Sequence, residues 1–214
     1  MPITDWDDAY ANAAHIPGAE TFLSDWPERS RRLRAAHAPE RLIYGSGARQ
    51  TIDLYRPKTA SQGLTVIVHG GYWMRFSPAE FGFLAAGPLA HGQSVAVVSY
   101  TLAPDARIAA ITAEVARAVT MAAAAVPGPI RLTGHSAGGH LVTRMGCAGV
   151  LQAEVAARIA HIVSVSGVHD LRPLLRTQMN ATLRLDSAEA LAESPALQRP
   201  LEALRLTCAV GSDE

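Results

Sequence analysis

The stretch Ile130-Arg131-Leu132-Thr133-Gly134-His135-Ser136-Ala137-Gly138-Gly139-His140-Leu141 decides the fold. Its first four residues form a short, largely apolar strand run, and residues 137–150 read as a helix. Between them stands G-x-S-x-G, from Gly134 to Gly138. Five residues of common types are a weak signal alone; the strand–turn–helix setting gives them weight. A turn this tight leaves no room for Cβ atoms on its flanks. That predicts the glycines at 134 and 138, with Gly139 adding clearance. Ser136 is then held proud of the sheet edge, at the positive end of a helix. It is the predicted nucleophile, and the backbone N–H of Ala137 points at the place where an oxyanion would form. A serine that only capped the helix would not need glycines on both sides.

Working outward, strand-like and helix-like segments alternate. Thr51 to Tyr55 alternates in polarity and stops before Pro57, as an early strand does. Leu64–Val68, Ser94–Tyr100, Ile130–Thr133, Ile159–Val165 and Leu204–Val210 are apolar runs of the kind that fills a parallel sheet buried on both faces. Helices are expected at 78–91, 107–125 and 137–150, with pieces within 171–203. The pattern predicts a doubly wound, mostly parallel α/β sheet with helices on both faces and functional loops at the carboxyl ends of the strands. One domain over residues 1–214 is expected. Its first 40 or so residues read as short helical pieces, broken at Pro17-Gly18 and at Trp26-Pro27.

A second site element, His69-Gly70-Gly71-Tyr72-Trp73, directly follows the run at 64–68. Acyl transfer needs a second N–H donor, and a glycine pair lets backbone amides face inward unobstructed. Gly71 is the preferred donor, with Gly70 and Tyr72 as neighbours able to share the role. Tyr72 and Trp73 wall either the acyl pocket or the core beneath it. His135 is expected beside the elbow, near the pocket. None of His69, His135 and His140 suits the base, because the base follows the nucleophile and the acid in this chain order. His69 reads instead as a brace for its loop. The acid is expected after the run at 204–210, at Asp213 or Glu214. Asp170, after Ser164-Val165-Ser166-Gly167, is the runner-up for the acid, but reads better as the N-cap of the helix starting at Leu171.

Composition bounds the remaining possibilities. The 214 residues are 49% hydrophobic and 18% charged, with 19 basic against 19 acidic residues. The cluster Arg29, Arg31, Arg32 and Arg34 reads as a solvated helix face, so no nucleic-acid partner is expected. The two cysteines, Cys147 and Cys208, sit in apolar segments and read as buried free thiols. No metal-ligand spacing occurs, and neither metal nor organic cofactor is expected. The N-terminus is acidic and polar, unlike a signal peptide. The most apolar window, near Val115 to Val126, contains Arg117 and is short for a bilayer. These features predict a cytoplasmic protein with a small-molecule substrate and no membrane partner. A homodimer is left open.

Three segments together resemble the kynurenine formamidase (arylformamidase) group of the α/β-hydrolase esterase/lipase branch. They are His69 to Trp73, Gly134 to Leu141, and Ser166-Gly167-Val168-His169-Asp170-Leu171-Arg172-Pro173-Leu174. Tyr100-Thr101-Leu102-Ala103-Pro104-Asp105 is similar to a loop of hormone-sensitive-lipase-like esterases. The resemblance covers about residues 5–214. It implies an α/β-hydrolase fold, Ser136 as nucleophile, and an oxyanion hole shaped by Gly71 and Ala137. It also implies hydrolysis of N-formylkynurenine through an acyl-enzyme, with a short-acyl carboxylesterase as the alternative. The family's base histidine lies beyond its acid, whereas the last histidine here is His169. The expectation is therefore a C-terminally incomplete domain, lacking its last strand and helix. On that expectation a non-catalytic binding role of the same fold stays open for the chain as given.

Overall fold

A computed structural model describes residues 3–211. A sheet of seven strands runs through the molecule: β1 (Glu40–Ile43), β2 (Thr51–Tyr55), β3 (Leu64–Val68), β4 (Ser94–Val98), β5 (Ile130–His135), β6 (Ile159–Val165) and β7 (Leu206–Ala209). Their order is β1-β2-β4-β3-β5-β6-β7. The first two pairings, β1 with β2 and β2 with β4, are antiparallel; every later neighbour is parallel. This is the α/β-hydrolase fold. Continuous burial explains the central strands, since every residue of β2, β3 and β4 is buried.

The α-helices are α1 (Trp6–Ala9), α2 (Asn12–His15), α3 (Ala19–Ala36), α4 (Pro78–Phe81), α5 (Ala86–Ala90), α6 (Ile108–Ala125), α7 (Ala137–Met145), α8 (Ala153–Ala156), α9 (Asn180–Leu183) and α10 (Ser187–Glu193). Alternate strand residues feed two separate cores. Val66, Val68, Ala96 and Leu132 pack with Ile111, Val115, Leu141 and Met145 of α6 and α7. Ile67, Val95 and Val97 pack on the other face with Ala85, Leu89 and Leu33. Helices thus cover both faces, as expected for a sheet whose side chains alternate with period two.

Several sequence expectations change. α3 runs through Pro27 without a break. Trp26 packs edge-on against Phe81, and buried Ser30 donates to Glu80 O and accepts from Phe83 N, so tertiary contacts hold the helix across the lost amide donor. The helix expected at 78–91 is two short α-helices joined by a 3₁₀ turn at Gly82–Ala85. α7 stops at Met145, ahead of Gly146, instead of reaching 150. α6 matches the helix expected at 107–125, but its apolar stretch is longer than the window near Val115 to Val126. It is the one described helix long and apolar enough to cross a bilayer, and half of that span is buried inside the fold. Cys147 is buried as expected, but Cys208 lies exposed on the edge strand β7.

Candidate active site

The turn from β5 into α7 is built on close backbone contacts. A Cβ placed on Gly134 would stand 2.2 Å from Gly138 O, and one on Gly138 would stand 2.0 Å from Val68 O. No side chain fits at either position. Ser136 at the tip has φ 55° and ψ −118°, a conformation that costs a non-glycine residue about 1–3 kcal/mol. Its N–H donates to Val165 O at 2.8 Å, and its carbonyl accepts from His140 N at 3.0 Å. These bonds and the flanking glycines hold the strained residue in place. Gly139 packs against the end of β6 and the loop after it: its Cβ would stand 2.6 Å from Ser164 Oγ and 2.8 Å from Gly167 Cα.

The glycine loop after β3 lies directly against this turn. A Cβ on Gly70 would stand 2.7 Å from His135 O and 3.3 Å from Ser136 Cβ. Gly71 takes φ 102°, and its carbonyl accepts from Met74 N and Arg75 N at 2.9 and 3.0 Å. The N–H groups of Gly71 and Tyr72 donate to no backbone carbonyl among the described residues.

His69 braces this loop. Its ring is wholly buried and stacks on Tyr100, with centroids 4.2 Å apart. Nδ1 lies 2.8 Å from Gly70 O, so it must carry the proton and donate. In a trans peptide the C=O and the next N–H point in opposite directions. Anchoring Gly70 O on the core side therefore aims the Gly71 N–H away from it. Burial pulls the His69 pKa down to about 4, and the ring is neutral at pH 7.

The other nearby histidines are committed. His140 is buried between Trp73 and Glu193 O. His169 Nε2 lies 2.9 Å from Ser164 Oγ and 3.3 Å from Thr143 Oγ1, linking the loop after β6 to α7. His135 is exposed beside the elbow and stacks at 6.4 Å from Phe81. Tyr72 is partly exposed, and its hydroxyl donates to Tyr10 O at 2.7 Å, pinning the N-terminal segment to the glycine loop. Trp73 does not wall a pocket. It is 1% exposed and belongs to the core. Its φ of 59° swings the indole beneath the loop, a local conformation that spacing does not announce.

Asp170 accepts from Arg172 N at 3.0 Å and from the Arg172 guanidinium, but it is not the cap expected of it: the 3₁₀ turn Arg172–Arg176 has Leu171 at its N-cap, with no side-chain cap. Asp213 and Glu214 lie outside the described residues. A cavity of about 920 Å³ lies between α6 and α10, lined by Arg107, Glu114, Glu189 and Glu193; Ser136 does not line it. Among the described residues no cluster of His, Cys, Asp or Glu is arranged to hold a metal ion.

Fold and site together define an α/β-hydrolase whose elbow serine faces a glycine loop. The family model BD-FAE matches residues 52–205, and the chain belongs to that family. Curated relatives narrow the likeness further. The chain is 35% identical over 181 residues to kynurenine formamidase of Salmo salar, covering 82% of this chain and 60% of that one. It is 33% identical over 157 residues to kynurenine formamidase of Danio rerio, covering 71% and 53%. The chain thus spans between half and two thirds of the length of these relatives. A crystal structure from Silicibacter sp. TM1040, provisionally described as a thioesterase, matches with TM-score 0.94 and 44% identity, over 97% of this chain and 80% of that one. Esterase B of Lactobacillus rhamnosis, at TM-score 0.63 and 17% identity over 88% and 73%, shares the fold.

Proposed function

We propose that the protein is a serine hydrolase that removes a small acyl group from an aryl formamide or ester, with formyl favoured. The observation that carries this reading is Ser136 at φ 55°, held by contact glycines at the tip of the β5–α7 turn beside Gly70 and Gly71. Strain of this kind persists only where the surroundings over-determine it, and it marks functional positions. Similarity to kynurenine formamidases supports N-formylkynurenine as the substrate type.

In the proposed reaction Ser136 Oγ attacks the acyl carbonyl, the bond from that carbon to the leaving nitrogen or oxygen breaks, and the departing amine or alcohol takes up the proton the serine gave up. The N–H groups of Gly71 and Ala137 receive the developing oxyanion, and water then releases the acyl group from the serine. His69, His140 and His169 are each engaged elsewhere and are not assigned as the base. The acid is assigned to Asp213 or Glu214, which lie outside the described residues. No cofactor takes part.

The test is kcat/KM for N-formylkynurenine beside 4-nitrophenyl acetate and butyrate. An acyl site that favours formyl rejects each added methylene by about 1–3 kcal/mol, so on this reading rates fall from formyl to acetyl to butyryl. Brisk ester turnover with no formamide hydrolysis would move the assignment to a carboxylesterase. The 44%-identical neighbour makes an acyl thioester the natural third substrate to include. No turnover of any of these, with intact folding, would favour a binding role.

A further inference from the structure

Three consecutive residues of the glycine loop hold positive φ: Gly71 at 102°, Tyr72 at 54° and Trp73 at 59°. Two of them are aromatic residues in left-handed backbone, so neighbouring contacts must hold the loop. Trp73 O accepts from Ala103 N at 2.8 Å. The other anchor of Trp73 is its side chain. The indole Nε1–H donates to His140 Nδ1 at 3.3 Å, with the rings edge-on at 5.2 Å.

The chemistry of this bond fixes the next one. An indole nitrogen only donates, so His140 Nδ1 must be the unprotonated nitrogen. Nε2 then carries the proton and donates to Glu193 O at 2.7 Å. Glu193 is itself fixed: its carboxylate accepts from Arg144 at 3.2 and 3.3 Å and from Thr112 at 2.6 Å. The relay therefore runs from the glycine loop, through α7, to the end of α10. His140 also touches the elbow directly, since its N–H donates to Ser136 O.

We infer that His140 is a positioning residue that holds the Gly71–Trp73 loop in register with Ser136 through the Trp73 indole. The inference rests on the hydrolase reading above. A loosened loop displaces an oxyanion donor, and such a donor acts on the transition state more than on bound substrate. The signature is a fall in kcat with KM little changed.

Three variants of the complete natural protein separate this role from packing. Trp73→Phe keeps an aromatic ring and removes the donor. His140→Asn keeps an acceptor near the Nδ1 position. His140→Gln moves its amide toward the Glu193 end. Trp73→Phe and His140→Gln are expected to lower kcat by on the order of tenfold. His140→Asn is expected to restore most of that loss at a Tm similar to that of His140→Gln. In the double variant Trp73→Phe/His140→Gln the two losses overlap and do not multiply. The inference is overturned if Trp73→Phe keeps the parental kcat, if Asn and Gln at 140 lose kcat equally, or if the paired losses multiply. Ser136→Ala is the separate control: retained activity there removes the hydrolase reading and this inference with it. A dead Ser136→Ala alongside an uncoupled pair removes this inference alone.

Discussion

Gly138 sits so close to the Val68 carbonyl that a Cβ on it would stand 2.0 Å from the oxygen. Both partners are backbone, so neither can swing aside. Gly138→Ala must push α7 away from β3 and shift Ser136 with it. A destabilisation of about 3 kcal/mol is expected, by urea unfolding, at the upper end of ordinary overpacking. Most activity should be lost even at temperatures where the variant is folded. A stable, active Gly138→Ala protein would mean that the elbow is looser than described.

The His69 ring gives a second prediction. Its Nδ1–H holds Gly70 O, and through the peptide plane it aims the Gly71 N–H. His69→Phe preserves the stack on Tyr100 and removes the donor. It is expected to reduce kcat by roughly 10- to 100-fold, somewhat less than deleting an oxyanion donor outright. KM should move little. An unchanged kcat would show that the loop holds its geometry without the histidine.

The acid is tested by neutralisation. Asp170 is paired with Arg172, which holds its carboxyl below the usual carboxylate range. Asp170→Asn should remain active, with a stability loss below about 1 kcal/mol, as for an exposed pair. Whichever of Asp213→Asn and Glu214→Gln removes the true acid should cost on the order of 10⁴ in kcat. Collapse of activity in Asp170→Asn alone would move the acid to the loop after β6.

How much of this was legible in the sequence differs from residue to residue. Leu64–Val68 and Ser94–Val98 announced themselves because strands buried on both faces read as unbroken apolar runs. Gly134 and Gly138 were legible because a tight strand–helix turn excludes side chains. β1 was not, because Glu40, Arg41 and Ile43 lie exposed on an edge and carry no clear alternation of burial. Pro27 misled because the propensity of a proline was overridden by packing of Trp26 on the Phe76, Phe81 and Phe83 rings. The partner of His140 was hidden for another reason. Glu193 O lies 53 residues along the chain, and a backbone acceptor leaves no mark in side-chain pattern.

Burial of two neutral histidines makes stability depend on pH. His69 and His140 both fall to about 4 in the folded chain, below the unfolded reference of 6.5. The unfolded state therefore binds more protons between these values, and stability falls as pH drops from 6.5 toward 4. Above pH 6.5 the contribution is fully present. The ceiling is roughly 3 kcal/mol per histidine. Urea midpoints at pH 7 and pH 4.5 should show a clear drop at the lower pH, smaller in His69→Phe. A flat profile would mean that these rings are not neutral and buried in solution.

The most direct test of the central claim is the turnover of 4-nitrophenyl acetate and N-formylkynurenine by Ser136→Ala in the complete natural protein. Alanine keeps the backbone demand at φ 55° unchanged, so Tm should barely move. The expected result is a fall in kcat of on the order of 10⁴–10⁶ for both substrates. Retention of most of the activity toward either one would contradict the assignment of Ser136 as the nucleophile for that reaction.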